Sequence, residues 1–320
     1  MVKRACVFAA VLALGPAAGW AVTVEEEAAI MAPLASRSLL LDVAAGGDRL
    51  VAVGERGHIL VSTDGGEAWR QVEVPTRTML TAVFFHDGKL GWAVGHDALI
   101  LRSTDGGETW RQVHHDPEAG GPLFDVYFTD DKRGFAIGAY GLFLESRNGG
   151  ESWERRAISD GDAHLHHLAR SATGRLYLAA ERGVVFRSDD GGERWTELPS
   201  PYQGSLFGSL PLAGENLLLF GLRGHAFLSG DEGRTWRSVA TGVDAMLTSA
   251  CRLADGRIVV GGLAGVVLVS DDEGRSFSLQ EQRDRLGISA AIPAPGGGIV
   301  LSGEFGVRKM TLAAPAAPAK

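Results

Sequence analysis

The chain has almost no cysteine: Cys6 and Cys251 are the two in 320 residues. Cys6 lies in a segment that reads as removable, so Cys251 would stand alone. That excludes an intramolecular disulfide framework even in an oxidising compartment. Cys251 ends the apolar run Met246 to Cys251 and reads as a small core residue. A basic excess is lacking too. Lys and Arg number 31 against 39 Asp and Glu, a net charge of −8, which excludes a general nucleic-acid binder. Tyrosine is scarce, at four, and the chain contains no G-x-S-x-G, no phosphate loop and no zinc-ligand spacing. The sequence marks of a serine hydrolase, a P-loop enzyme and a zinc enzyme are therefore missing.

Long apolar runs are confined to the first residues. Lys3 and Arg4 precede the run Ala5 to Leu14, Gly15-Pro16 breaks it, and Ala17-Ala18-Gly19-Trp20-Ala21 offers small residues. This is the pattern of an export signal over residues 1–21, with cleavage expected after Gly19 or Ala21 and a periplasmic or secreted product. An uncleaved anchor is the alternative, although the run is short for a span of about 20 residues.

Glycine, by contrast, is abundant, at 44 residues, and much of it falls in copies of one octet. Ser62 to Trp69, Ser103 to Trp110, Ser146 to Trp153, Ser188 to Trp195, Ser229 to Trp236 and Ser270 to Phe277 follow S-x-D-x-G-x-x-W. Their serines stand 41, 43, 42, 41 and 41 residues apart. A fixed period near 40 marks a repeat architecture. In each copy the Ser hydroxyl and the acid (Asp64, Asp105, Asp190, Asp231, Asp272, with Asn148 in the third) can hold a turn closed through backbone N–H groups. The glycines supply positive φ. The aromatic (Trp69, Trp110, Trp153, Trp195, Trp236) can wedge between units. This octet resembles the Asp-box, or bacterial neuraminidase repeat. A second series of small residues, from Gly54 to Gly303, counts seven units, the last without its octet.

Each unit reads as four short strands separated by turns, which gives an all-β fold: a seven-bladed β-propeller over 38–312. The missing outer strand of the last unit leaves an edge. Residues 22–37, and Val22–Glu25 in particular, are available to pair there. The Ala/Pro-rich tail 313–320 reads as disordered.

The Asp-boxes lie between the third and fourth strands of each unit. The loops between the second and third strands share the opposite face with the connections between blades. Candidate partner-binding residues are therefore sought there: Arg56, Arg182 and Arg223 at equivalent positions, with Arg77, His96, Tyr140 and Phe305. His164 and His166 could face one ion from a strand, but nothing supplies a third ligand, so no metal and no cofactor are expected. Sialidases share the Asp-box, yet the opening F/Y-R-I-P signature is absent. Tyr127 and Tyr177 fall within strand patterns, and Tyr140 and Tyr202 lack an obvious Glu partner. A sialidase-like hydrolase or glycan-binding propeller remains the alternative to a non-catalytic scaffold.

The fuller repeat goes beyond a generic Asp-box. It runs Leu80-Thr81-Ala82-Val83-Phe84-Phe85, Gly91-Trp92-Ala93-Val94-Gly95, then Ile100 to Trp110, with Gly134-Phe135-Ala136-Ile137-Gly138 repeating the middle element. Over 38–312 this resembles the family of photosystem II stability and assembly factors and their relatives in non-photosynthetic bacteria. The resemblance implies a non-catalytic seven-bladed ring that binds a membrane-protein partner during assembly, some members using an arginine patch. It implies, in a non-photosynthetic bacterium, a periplasmic accessory of a membrane complex such as an exporter. A monomer and no nucleic-acid partner are expected.

Overall fold

A computed structural model describes residues 28–118, 121–280 and 282–312. Seven antiparallel sheets follow one another along the chain, six of four strands and a last of three. Each sheet is a blade, numbered here 1 to 7 in chain order. The first, innermost strands are Leu40–Gly46, Leu80–Phe85, Leu123–Phe128, Leu165–Arg170, Leu206–Pro211, Leu247–Arg252 and Ile288–Pro293. Each packs against the next, and the last packs against the first, which closes the ring. The expected seven-bladed propeller is thus observed. The expected signal 1–21, the strand Val22–Glu25 and the tail 313–320 lie outside the described residues.

The second strand of each blade is buried along nearly its whole length, because neighbouring blades cover both of its faces. Val51-Ala52-Val53, Trp92-Ala93-Val94 and Phe135-Ala136-Ile137 read in sequence as short unbroken apolar runs for that reason. The core is therefore a series of clusters between blades. At the closing seam, Leu40, Leu50, Ala52 and Leu60 of blade 1 meet Ala290 and Val300 of blade 7. Cys251 is buried between blades 6 and 7, and burial pushes its thiol up to about 12, so it serves as packing.

The Asp-box turns are built as their chemistry dictates. In blade 1 the Ser62 hydroxyl donates to Asp64 (2.8 Å) and accepts the Gly66 N–H (2.9 Å), while Asp64 accepts the N–H groups of Glu67 and Ala68 at 3.1 and 3.0 Å. In blade 5, Asp231 is held down at about 2 by the Thr235 hydroxyl (2.6 Å) and the Thr235 N–H (2.8 Å). Each box is pressed onto the preceding blade. Gly150 of blade 3 is an example. A Cβ there would stand 2.1 Å from the Trp92 indole nitrogen of blade 2, which is wholly buried. Trp92 in turn donates to the Gly149 carbonyl at 3.3 Å.

Among the described residues the last blade has three strands. Of the N-terminal segment, residues 28–37 are described. Ala29 N–H donates to Val74 O (2.9 Å) and Ala32 N–H to the Gln71 side chain (2.8 Å), so residues 28–32 run along the outer edge of blade 1. The short helical turn Ala35–Arg37 then sits at the seam, touching blade 1 and the last strand, Gly306–Met310.

Two glycines separate backbone strain from close packing. Gly150 (φ +77) and Gly191 (φ +70) are both left-handed, but a Cβ on Gly191 meets nothing within 4 Å. Its counterparts in blades 5 and 6 are Glu232 and Glu273, at φ 61 and 60. Gly191→Ala should therefore cost about 1–2 kcal/mol, the left-handed penalty alone. Gly150→Ala should cost about 1–3 kcal/mol more, because Trp92 must move. Equal losses in urea unfolding would show that the boxes do not dock on the preceding blade.

Candidate partner-binding face

The loops between second and third strands share one backbone plan. In six blades a three-residue turn places its middle residue in the left-handed region: Arg56, Asp97, Tyr140, Arg182, Arg223 and Ala264, with φ between 54 and 58. Glycine would adopt this conformation without penalty, whereas each side chain costs about 1–2 kcal/mol there. Six strained, non-glycine apices on one face are the kind of outlier from which a functional hypothesis runs.

The predicted residues fall on this plan unequally. Arg56, Arg182, Arg223 and Tyr140 are all apices, and all are exposed. His96 precedes its apex, which Asp97 occupies. The arginines belong to blades 1, 4 and 5, so Arg182 and Arg223 are neighbours and Arg56 stands across the ring. Arg182 is paired with Asp162 at 2.5 Å. Arg56 and Arg223 make no ion pair with any described residue. Phe305 lies in the two-residue turn of blade 7, partly covered by the Arg308 guanidinium at 3.7 Å. Arg77 donates to the Ala28 carbonyl (3.0 Å) and so ties down the N-terminal segment.

The apices surround the central channel, whose lining is set by the inner strands. Every inner strand carries a register shift near its start, seen between Leu40 and Asp42 and again between Leu80 and Ala82. The residue skipped in each blade is Leu41, Thr81, Phe124, His166, Phe207, Thr248 or Ser289. A bulge re-aims its extra side chain, and all seven line a channel cavity of about 370 Å³. The signal was available: these are the residues one place after the leucine or isoleucine that opens each inner strand.

Polar side chains at and just after the bulges tie neighbouring blades together. Asp42 accepts the Val83 N–H (2.8 Å) and Asp125 the Leu168 N–H (2.7 Å). Thr81 donates to Leu123 O (2.6 Å) and Thr248 to Ile288 O (2.7 Å). His166 bonds Leu206 O at 2.9 Å, and Ser249 accepts the Ala291 N–H at 3.1 Å. Burial pushes Asp42 and Asp125 up to about 7 against these N–H bonds, and the Asp125 charge raises Asp42 further. Burial lowers His167 to about 4, so it stays neutral. The rings of His164 and His166 lie 6.5 Å apart, and among the described residues no three His, Cys, Asp or Glu side chains converge as a metal site requires.

Residues 27–122 and 118–259 match the family model described as Photosynthesis system II assembly factor YCF48. The chain belongs to this family. It is similar in structure to a chain titled "YCF48 bound to D1 peptide", at 19% identity and a TM-score of 0.70, covering 88% of this chain and 93% of that one. It is also similar to "YCF48 from Cyanidioschyzon merolae", at 18% identity and a TM-score of 0.69, covering 85% of this chain and 94% of that one. The WD40 β-propeller domain of Doa1 shares the fold at 14% identity, with a TM-score of 0.66 and coverage of 84% and 91%. No curated protein matches the sequence. The YCF48 family model accounts for the Asp-box period, and the propeller structures account for the ring.

The channel carboxylates give a pH test. A carboxyl raised in the folded state favours its neutral form there, so its contribution falls as pH rises from about 4 through about 7 and is level above. Asn at position 125 mimics the neutral acid and does not titrate. Wild type should therefore lose thermal stability relative to Asp125→Asn between pH 4 and 8. A relative gain over that range would mean that Asp125 is an ordinary stabilised carboxylate.

Proposed function

We propose that this protein is an exported, non-catalytic propeller that holds a membrane protein through its loop face during assembly of a complex. Family membership supports the assembly role, and a relative of the same fold is described as bound to a D1 peptide. The observation that carries the reading to this face is the ring of strained apices with two exposed arginines, Arg56 and Arg223, that make no ion pair among the described residues. Arginine in a rigid setting suits carboxylate and backbone carbonyl groups of a partner. Of the tyrosines, Tyr177 is buried, and Tyr140 stands exposed with its ring against His164. The partner is a membrane protein or a subunit of a membrane complex. An exporter is one such complex. The protein works as a periplasmic or secreted monomer.

The test is capture from cells. The tagged protein is crosslinked, membranes are solubilised, and co-purifying proteins are identified. One membrane protein should be enriched. The double variant Arg56→Glu/Arg223→Glu should lose it by about tenfold or more, the size of a charge-assisted contact or two. Arg182→Glu should matter less, since Asp162 already occupies that side chain. Retention of the partner by a folded double variant would remove these arginines from the site. Turnover of a fluorogenic glycoside would favour the hydrolase instead.

A further inference from the structure

Arg56 and Arg223 flank a channel mouth whose wall is uneven in chemistry. Phe124, His166 and Phe207 are the bulge residues of three consecutive blades. The His166 ring lies 5.9 Å from Phe124 and 4.8 Å from Phe207. His164 carries the wall outward, 6.0 Å from Phe124 and 4.8 Å from the exposed ring of Tyr140. An aromatic face thus runs from the apex of blade 3 into the cavity. One residue further along their strands, Asp125 of blade 3 and Asp42 of blade 1 line the same cavity.

The cavity's own lining offers no cation to either acid when it ionises. No Lys or Arg lines it, and neither carboxylate makes an ion pair with a described residue. Each carboxylate oxygen accepts one backbone N–H, which leaves acceptor capacity directed elsewhere. Burial holds His166 and His167 in their neutral forms, so they add no positive charge. At about 370 Å³ the cavity is at the small end of ligand sites, which run from about 300 to 1,000 Å³. An aromatic wall attracts a cation over its faces, and a carboxylate pairs with an ammonium or guanidinium group. An apolar plug would leave both carboxylates buried without compensation, and an acidic one would add repulsion.

We propose that the channel mouth receives a lysine or arginine side chain of the bound protein, its stem against Phe124, His166 and Phe207 and its cation at Asp125 and Asp42. The proposal rests on the loop face being the partner-binding face, and adds the chemistry of the anchor.

Fluorescein-labelled peptides Gly-Ser-Gly-Xaa-Gly-Ser-Gly, with Xaa as Lys, Arg, norleucine, Phe or Glu, test it by anisotropy with the exported protein. The Lys and Arg peptides should bind about tenfold or more tighter than the other three. Phe207→Ala and Asp125→Asn should each abolish that preference. Phe207 touches the His166 ring of blade 4 but carries no hydrogen bond between blades, so its variant spares the polar seam contacts if Asp125→Asn does not fold. Equal binding of norleucine or Phe peptides would make the mouth an apolar slot and overturn the cation. No binding by any peptide would overturn it too. If the preference is absent while partner capture still depends on Arg56 and Arg223, the slot fails and the face stands. If capture is also indifferent to those arginines, the face reading fails with it.

Discussion

No blade can bury its own two faces, and the whole ring follows from that constraint. The Asp-boxes answer it by docking backward, the glycine at the fifth position of the octet against the blade before. Gly150 meets Trp92, Gly192 meets Phe135, and Gly66 of blade 1 meets Val300 of blade 7. The box glutamates reinforce the same direction. Glu108 reaches Arg49 and Arg70 of blade 1, Glu151 reaches Arg102 of blade 2, and Glu67 reaches Lys309 of blade 7. Such part-exposed pairs contribute about 0–1 kcal/mol each, so the apolar docking holds the seam and the charges fix its register.

Because docking runs backward, the missing box of blade 7 weakens its seam with blade 6 and leaves ring closure intact. The seam between blades 6 and 7 is held instead by Thr248 and Ser249 in the channel and by the cluster around Ile288 and Leu301. The closing seam has no channel bond from Ser289 or Ala290, but it keeps the box of blade 1 and the packed turn at Ala35. Blades 5 and 6 are joined without either polar device. Phe207 and Gly208 offer no bond, and Glu273 pairs with Arg252 of its own blade. Their seam rests on apolar packing around Phe220, Leu247 and Ile258.

The ring was legible in the sequence because its cause repeats: a Ser, an acid, a glycine and an aromatic recur at one period, and each does the same local job. The apices were half legible. Equivalent positions could be aligned, which put Arg56, Arg182 and Arg223 together. The left-handed geometry that makes Asp97 the apex and His96 its neighbour is not written in residue type. The channel lining is marked by position and not by residue type: each bulge residue follows the leucine or isoleucine that opens its inner strand. That residue is Leu, Thr, Phe, His or Ser in different blades, and a strand of period two gives no reason to read Leu41 and Asp42 as facing one cavity. Residues 28–32 lie along blade 1 for a simple reason. Gln71, on the outer strand of blade 1, offers both an amide donor and an acceptor to them.

The two channel carboxylates show how structure and function share a residue. As seam elements, Asp42 and Asp125 suit their place, since each bridges its own blade to the next through backbone N–H groups. A neutral side chain could do much of that: Ser249 does it between blades 6 and 7. What a carboxylate adds is charge, and in a desolvated channel charge is a cost, which is why both acids are pushed up to about 7. A fold that needed only the hydrogen bond would be more stable with Ser or Thr at both places. Two acids kept where their ionised forms are disfavoured, opposite an aromatic wall and with no internal cation, make sense when the missing charge arrives with a partner. The strained arginine apices above them follow the same logic, spending local stability on groups that face outward.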